Sequence, residues 1–68
     1  MNDLPIGQRR QILQQKITYY QQAYYAHQVD AQIGQDIGDT RMVESAKDNM
    51  RKARQVLDRL EKMMQELA

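Results

Sequence analysis

The stretch Ile33-Gly34-Gln35-Asp36-Ile37-Gly38-Asp39-Thr40-Arg41-Met42-Val43 lies near the middle of a 68-residue chain and decides how that chain folds. Gly38 suits the left-handed position just past a helix end, where a Cβ would clash. Asp39 or Thr40 can then cap a second helix by accepting from its free backbone N–H groups. Glu44 reads as part of that helix's first turn, where a carboxylate favours the positive end of the dipole. A join this short forces two helices to lie antiparallel as neighbours. Gly34 has two readings: it sits inside the last turn of the first helix, or it ends that helix early.

Outward from this turn the chain is unpunctuated. No Pro or Gly falls between Gln8 and Ile33, and none between Asp39 and Ala68; Pro5 and Gly7 stand near the start. Gln, Ala, Leu, Met, Arg, Lys and Glu dominate both halves, and these residues favour helix. The expectation is an all-α chain with a single helical hairpin over residues 1–68: helix 1 over 8–36, a turn over 37–39, helix 2 over 40–67.

The apolar spacing supports the same picture. In the second half, Val43, Ala46, Met50, Ala53, Leu57, Leu60, Met64 and Leu67 alternate steps of three and four, a seam of a and d positions. In the first half, Leu13, Ile17, Tyr20, Tyr24, His27, Ala31 and Gly34 do the same. Two seams of one period can supercoil together. Folding the chain about Gly38 pairs residues whose numbers sum to 77. Ala31 then faces Ala46, His27 Met50, Tyr24 Ala53, Tyr20 Leu57, Ile17 Leu60 and Leu13 Met64. Tyr24 on Ala53 sets large against small, as close-packed layers require.

Apolar surface is left over. Ile12, Tyr19, Ala23, Ala26, Ile33 and Ile37 form a second stripe beside the first seam, and Met42, Val56 and Met63 flank the second. A stripe this wide meets more than one neighbour, and a lone domain of this size buries too little to be more than marginal. The hairpin is therefore expected to dock by helix packing, on copies of itself or on a larger protein. Two hairpins closing a four-helix bundle are the simplest solution.

Composition excludes several functions. The formal net charge is +1, from ten Lys and Arg against nine Asp and Glu, which argues against a partner held mainly by electrostatics. There is no Cys, hence no disulfide frame and no thiolate metal site. The start carries no secretory pattern and no window approaches a membrane span, so the default is a protein of the cytoplasm with no membrane partner. A chain this short does not wall a catalytic cleft. It has no Gly-rich phosphate loop, no Ser/His/Asp set and no metal-spaced cluster, and no enzyme activity, metal or cofactor is expected.

Three local features carry weaker signals. His27, the one histidine, has Asp30 three residues on, but lacks the inward carboxylates and histidines of a bundle metal site. With Met50 opposite, haem ligation by His and Met is thinkable; a partly wet histidine bonded to Asp30 or a tyrosine is the plainer reading. Of the paired tyrosines, Tyr20 and Tyr24 belong to the seam and Tyr19 to the second stripe, while Tyr25 points elsewhere and is the best candidate for outward contact, which suits a ring with an apolar body and a polar tip. Their neighbours Gln21, Gln22 and Ala23 are uncharged, unlike a base-stacking platform. Lys47, Arg51, Lys52 and Arg54 form a basic cluster that could meet phosphates. The spacings Glu44–Lys47, Asp48–Arg51, Asp48–Lys52 and Asp58–Lys62 equally fit a solvated helix face. Nine of the eleven glutamines lie between Gln8 and Gln35, mostly off the apolar arc, which marks helix 1 as the more embedded helix.

The turn with its following helix resembles one tetratricopeptide unit, but only over the turn, and one such repeat cannot bury its own face. A broader resemblance covers residues 11–66 and is carried by Tyr24-Tyr25, Ala31, Ile37-Gly38-Asp39, Met42, Glu44, Ala46, Asn49-Met50 and Leu57-Asp58 with Glu61. In these the chain resembles short, Gln- and Ala-rich helical-hairpin proteins encoded in bacteriophage morphogenesis regions. The resemblance implies a non-enzymatic virion or assembly component, present in several copies against larger proteins. Its docking residues are expected to be Tyr19, Tyr25, Ile33, Ile37, Met42, Val56 and Met63. The alternative is a small dimeric four-helix-bundle regulator that binds RNA or DNA through Lys47, Arg51, Lys52 and Arg54, resembling small plasmid-copy-control bundles in architecture.

Overall fold

A computed structural model describes residues 4–67, and within them the chain is two helices joined by one turn. Residues 1–3 and 68 of the expected 1–68 hairpin lie outside the described residues. Helix α1 runs Ile6–Ile37 and helix α2 runs Thr40–Glu66. The molecule is a rod of 50 × 20 × 14 Å. Its length is that of α1 itself, since 32 residues at about 1.5 Å each span ~48 Å. The radius of gyration is 15.6 Å, well above the ~11 Å of a compact domain of this length.

Helix α1 begins two residues earlier than the sequence suggests. Pro5 sets the entry with φ −54° and ψ 149°, and its carbonyl accepts from the N–H groups of Gln8 (3.0 Å) and Arg9 (3.1 Å). Arg9 also donates its Nε to the Leu4 carbonyl at 2.7 Å. Gly7, which reads as punctuation, is an exposed helical residue here. Its cost there is the entropic one of any helical glycine, and it does not stop the helix that Pro5 has started.

The turn is two residues, Gly38 and Asp39, because Ile37 is still helical. Gly38 has φ 74° and ψ 26°, the left-handed conformation that its sequence context requires. Its N–H donates to the Gln35 carbonyl (3.2 Å) and the Asp39 N–H donates to the Gly34 carbonyl (2.8 Å). This crossed pair satisfies carbonyls that a helix end otherwise leaves free. Asp39, not Thr40, is the cap of α2: its carboxylate accepts from the Met42 N–H at 3.0 Å. Glu44 falls just beyond the first turn, which contains no acidic residue. The cap, and not a first-turn carboxylate, therefore supplies the negative charge at this end.

Gly34 lies inside α1 and is buried. A Cβ there would sit 2.9 Å from Val43 Cγ2, 3.2 Å from the Val43 backbone N and 3.3 Å from the Asp39 carbonyl oxygen. The helices approach closely beside the turn, and Gly34 is the residue that permits it. It also sits on Val43, as the pairing that sums to 77 requires.

Small Ala46 is buried near the turn and Ala53 at mid-rod, while Leu13, Ile17, Leu57 and Leu60 form the apolar cluster towards the open end. Tyr20, Val56, Met64 and Leu67 pack against that cluster. All the expected seam positions are buried or half-buried. Among the described residues, however, no large side chain is fully buried. A two-helix seam has open sides, and water reaches every layer.

Candidate interaction surface

The two open sides of the hairpin differ in chemistry. Residues seven apart on a helix stay within about 20° of one another. Ile12, Tyr19, Ala26 and Ile33 therefore form one row along α1, with Ala23 and Ile37 in the row between it and the seam. Met42, Val56 and Met63 form the matching row on α2. In antiparallel helices these rows border the same side of the seam. Two shallow grooves mark it: one is lined by Tyr19, Ala23, Asn49 and Val56 with Lys52, the other by Ile12, Leu13, Met63 and Leu67 with Arg9, Arg59 and Glu66. On the other side, α1 presents Gln14, Gln21, Gln28 and Gln35 in register every seven residues. A groove there is lined by Tyr24, Met50, Lys47, Arg51 and Arg54. The glutamines thus cover one edge of α1; the other carries Ala23 and Ile37 together with Arg9, Lys16 and Asp30.

Six of the seven residues expected to dock share the apolar flank: Tyr19, Ile33, Ile37, Met42, Val56 and Met63. Tyr19 is 64% exposed, Ile37 67%, Ile33 44% and Met63 39%, while Met42 and Val56 are half-buried. Tyr25, 66% exposed, is not with them. Six residues on from Tyr19, it points about 120° away around the helix. Ile12, at 41% exposure, belongs to the flank and is as open as Ile33; its sevenfold spacing from Tyr19 is the signal that places it there. Tyr19 stands edge-on against Tyr20, ring centres 5.0 Å apart, so the seam tyrosine braces the outward one. Among the described residues eight large apolar ones are exposed, seven on α1 and only Met63 on α2. Uncovered apolar surface is thus a property of α1.

The basic cluster does not form one patch. Lys47, Arg51 and Arg54 line the glutamine side around Tyr24, whereas Lys52 lines the apolar flank beside Val56. Arg51 is paired to Asp48 one turn before it, and Arg54 Nε lies 3.5 Å from the Asp58 carboxylate. Both arginines thus have an acidic neighbour on their own helix, and exposed pairs of this kind are worth well under ~1 kcal/mol.

His27 Nδ1 is 4.0 Å from the Asp30 carboxylate, at the outer limit of an ion pair, and the ring is about one-third exposed. Met50 stands across the seam, half-buried. Among the described residues no three His, Asp or Glu side chains converge on a common point that could hold a metal ion, and no buried side-chain polar atom lacks a hydrogen-bond partner. No helix of the described residues is long and apolar enough to cross a membrane.

The chain matches no known protein-family model, and neither a characterised protein nor a solved structure is detectably similar to it.

Proposed function

We propose that this chain is a non-enzymatic interaction module: a two-helix strut that docks through its apolar flank by helix packing, as a small virion or assembly protein of a bacteriophage present in multiple copies. The observation that carries the reading is the run of exposed apolar residues Ile12, Tyr19, Ile33 and Ile37 along one flank of α1, in a hairpin that among its described residues fully buries no large side chain. An apolar patch of this extent marks an interaction surface. The resemblance to phage hairpin proteins in residues such as Tyr24-Tyr25, Ile37-Gly38-Asp39 and Asn49-Met50 supports the phage setting.

The test is mass by light scattering, for the protein alone and mixed with the products of neighbouring genes. The expected result is a defined assembly that Met63→Lys and Ile33→Lys dissolve while circular dichroism still reports helix. A chain that stays monomeric alone and in every mixture would overturn the reading.

One groove favours a second reading. Tyr24 with Lys47, Arg51 and Arg54 around it is the kind of aromatic and basic combination that single-stranded nucleic acid uses. Against it, Arg51 and Arg54 already have acidic partners and Lys52 faces the other side. Binding to RNA or DNA that falls steeply between low and moderate salt would support this alternative, and no binding at low salt would remove it.

A further inference from the structure

The contacts of the seam do not by themselves choose the hairpin. Open the chain at Gly38, and each seam residue can meet the same partner on a second copy, because numbers that sum to 77 pair equally well between two antiparallel chains. Exchange of identical elements is a low-cost route to a dimer, and the hinge loop is where it starts. The opened chain in its simplest form is one helix from Ile6 to Glu66, a rod of ~90 Å at about 1.5 Å per residue.

What separates the two forms is phase. A seam that runs on unbroken alternates steps of four and three, so after Gly34 it reaches positions 38, 41 and 45. The seam of α2 starts instead at Val43 and Ala46, two residues out of step. Two residues are about 200° of helix. In one continuous helix the two seams would therefore face nearly opposite ways. Carried forward in step, the α1 seam meets Arg41, Ser45, Asp48, Lys52, Gln55 and Arg59, all of them exposed in the hairpin. Carried back in step, the α2 seam meets Asp36, Gln32, Gln22, Thr18 and Gln15, with only Val29 and Tyr25 among them. Neither extension supplies an apolar stripe, so a straight exchanged pair would leave one seam of every chain in water.

In the hairpin the turn absorbs the mismatch. Gly38 at φ 74° and Asp39 at φ −96°, ψ 92° take the backbone off the helical path for two residues. They re-aim α2 so that Val43 comes against Gly34. One pair of residues thus reverses the chain and brings the seams back to face each other.

We infer that this two-residue phase break is a conformational device: it bars the exchanged, continuous-helix dimer, commits the chain to the closed hairpin and so fixes the strut at 50 Å. The inference is independent of what docks on the apolar flank.

Insertions at the turn test it. The chain has no native Cys, so Tyr20→Cys with Leu57→Cys reports topology alone. A disulfide within one chain runs at the 8.0 kDa monomer mass on a non-reducing gel, and an exchanged pair runs at twice that. Closed hairpins that associate through their flanks still link within each chain. Adding Gly38→Ala and Asp39→Ala removes the left-handed residue and the cap and turns the local preference towards continuous helix. The link that forms is nonetheless expected to stay within one chain, because the seams stay out of step. Two alanines inserted between positions 38 and 39 of that variant lengthen the interval from Gly34 to Val43 from nine residues to eleven, which is in step. The link is then expected to move almost wholly between chains, with helix retained by circular dichroism. Four inserted alanines favour helix equally but miss the phase by two residues in the other sense, and the link is expected to return within one chain.

Links between chains in the doubly substituted variant without insertion would overturn the inference. So would one and the same topology for the two-alanine and four-alanine insertions, or loss of helix in the two-alanine variant, whose in-phase seams are expected to pair.

Discussion

Gly34→Ala isolates a close approach between the helices. In an ordinary helix interior this substitution stabilises by about 0.8–1 kcal/mol, because Ala loses less backbone entropy than Gly. Here the added Cβ meets Val43 Cγ2 at 2.9 Å and the Val43 backbone N at 3.2 Å. Val43 is β-branched and held to one rotamer in a helix, so it does not swing aside freely, and a backbone atom does not swing at all. Relief requires α2 to move away, at an overpacking cost of roughly 1–3 kcal/mol. The net effect is a loss of about 1 kcal/mol, or ~4–8 °C in Tm for a domain of this size. The internal control is Gly7→Ala in the same helix, where a Cβ meets nothing within 4 Å. There the expected change is a gain of a few tenths to ~1 kcal/mol. Thermal melts by circular dichroism, at one fixed protein concentration because any association shifts Tm, compare the two. If both alanines raise Tm alike, the close packing of Gly34 on Val43 is wrong, and the register drawn from it goes too.

Three further outcomes follow from the same geometry. Asp39→Ala removes the acceptor for the Met42 N–H and is expected to cost ~0.5–2 kcal/mol in a melt, with Asp39→Ser retaining most of it. Leu57→Ala empties part of the apolar cluster it forms with Leu13, Ile17 and Leu60 and is expected to cost ~2–5 kcal/mol, far more than Arg59→Ala on the neighbouring exposed position. Cysteines placed at Tyr20 and Leu57 should form a disulfide within one chain, read as a shift on a non-reducing gel at monomer mass. Links formed only between chains would mean that the helices do not fold back on each other.

Much of this architecture is legible in the residues because helix pairs leave a periodic trace. The three-four spacing names the seam, and the position of Gly38 names the fold point. Together they give the pairing that Gly34 on Val43 displays. What the sequence hides is what depends on a second helix. Gly34 is ambiguous alone, since a glycine near a helix end reads as a stop; only the approach of Val43 makes it a packing residue. The start at Ile6 is similarly masked, because Gly7 weakens the pattern where Pro5 has already set the helix. Helical rotation alone already points Tyr25 elsewhere, and it lies off the flank that the other six expected docking residues share. The basic cluster divides for the same reason: Arg51 and Lys52 are consecutive, and consecutive residues point about 100° apart.

The seam separates two resources along the rod. The shape-dependent contact of Gly34 on Val43 and the small Ala46 sit by the turn; apolar mass, Leu13, Ile17, Leu57 and Leu60, sits towards the open end. A hairpin zips from its turn, because the pairs nearest it close the shortest loops and lose the least chain entropy. The chain must therefore order its least rewarding layers first and reaches its most stabilising ones last. Substitutions around Gly34 and Asp39 are accordingly expected to slow folding, and those at Leu57 or Leu60 chiefly to speed unfolding, a contrast that φ-values at the two ends would reveal. The rod is thus held shut at the end where it closes last, and its lifetime is set there and not at the turn.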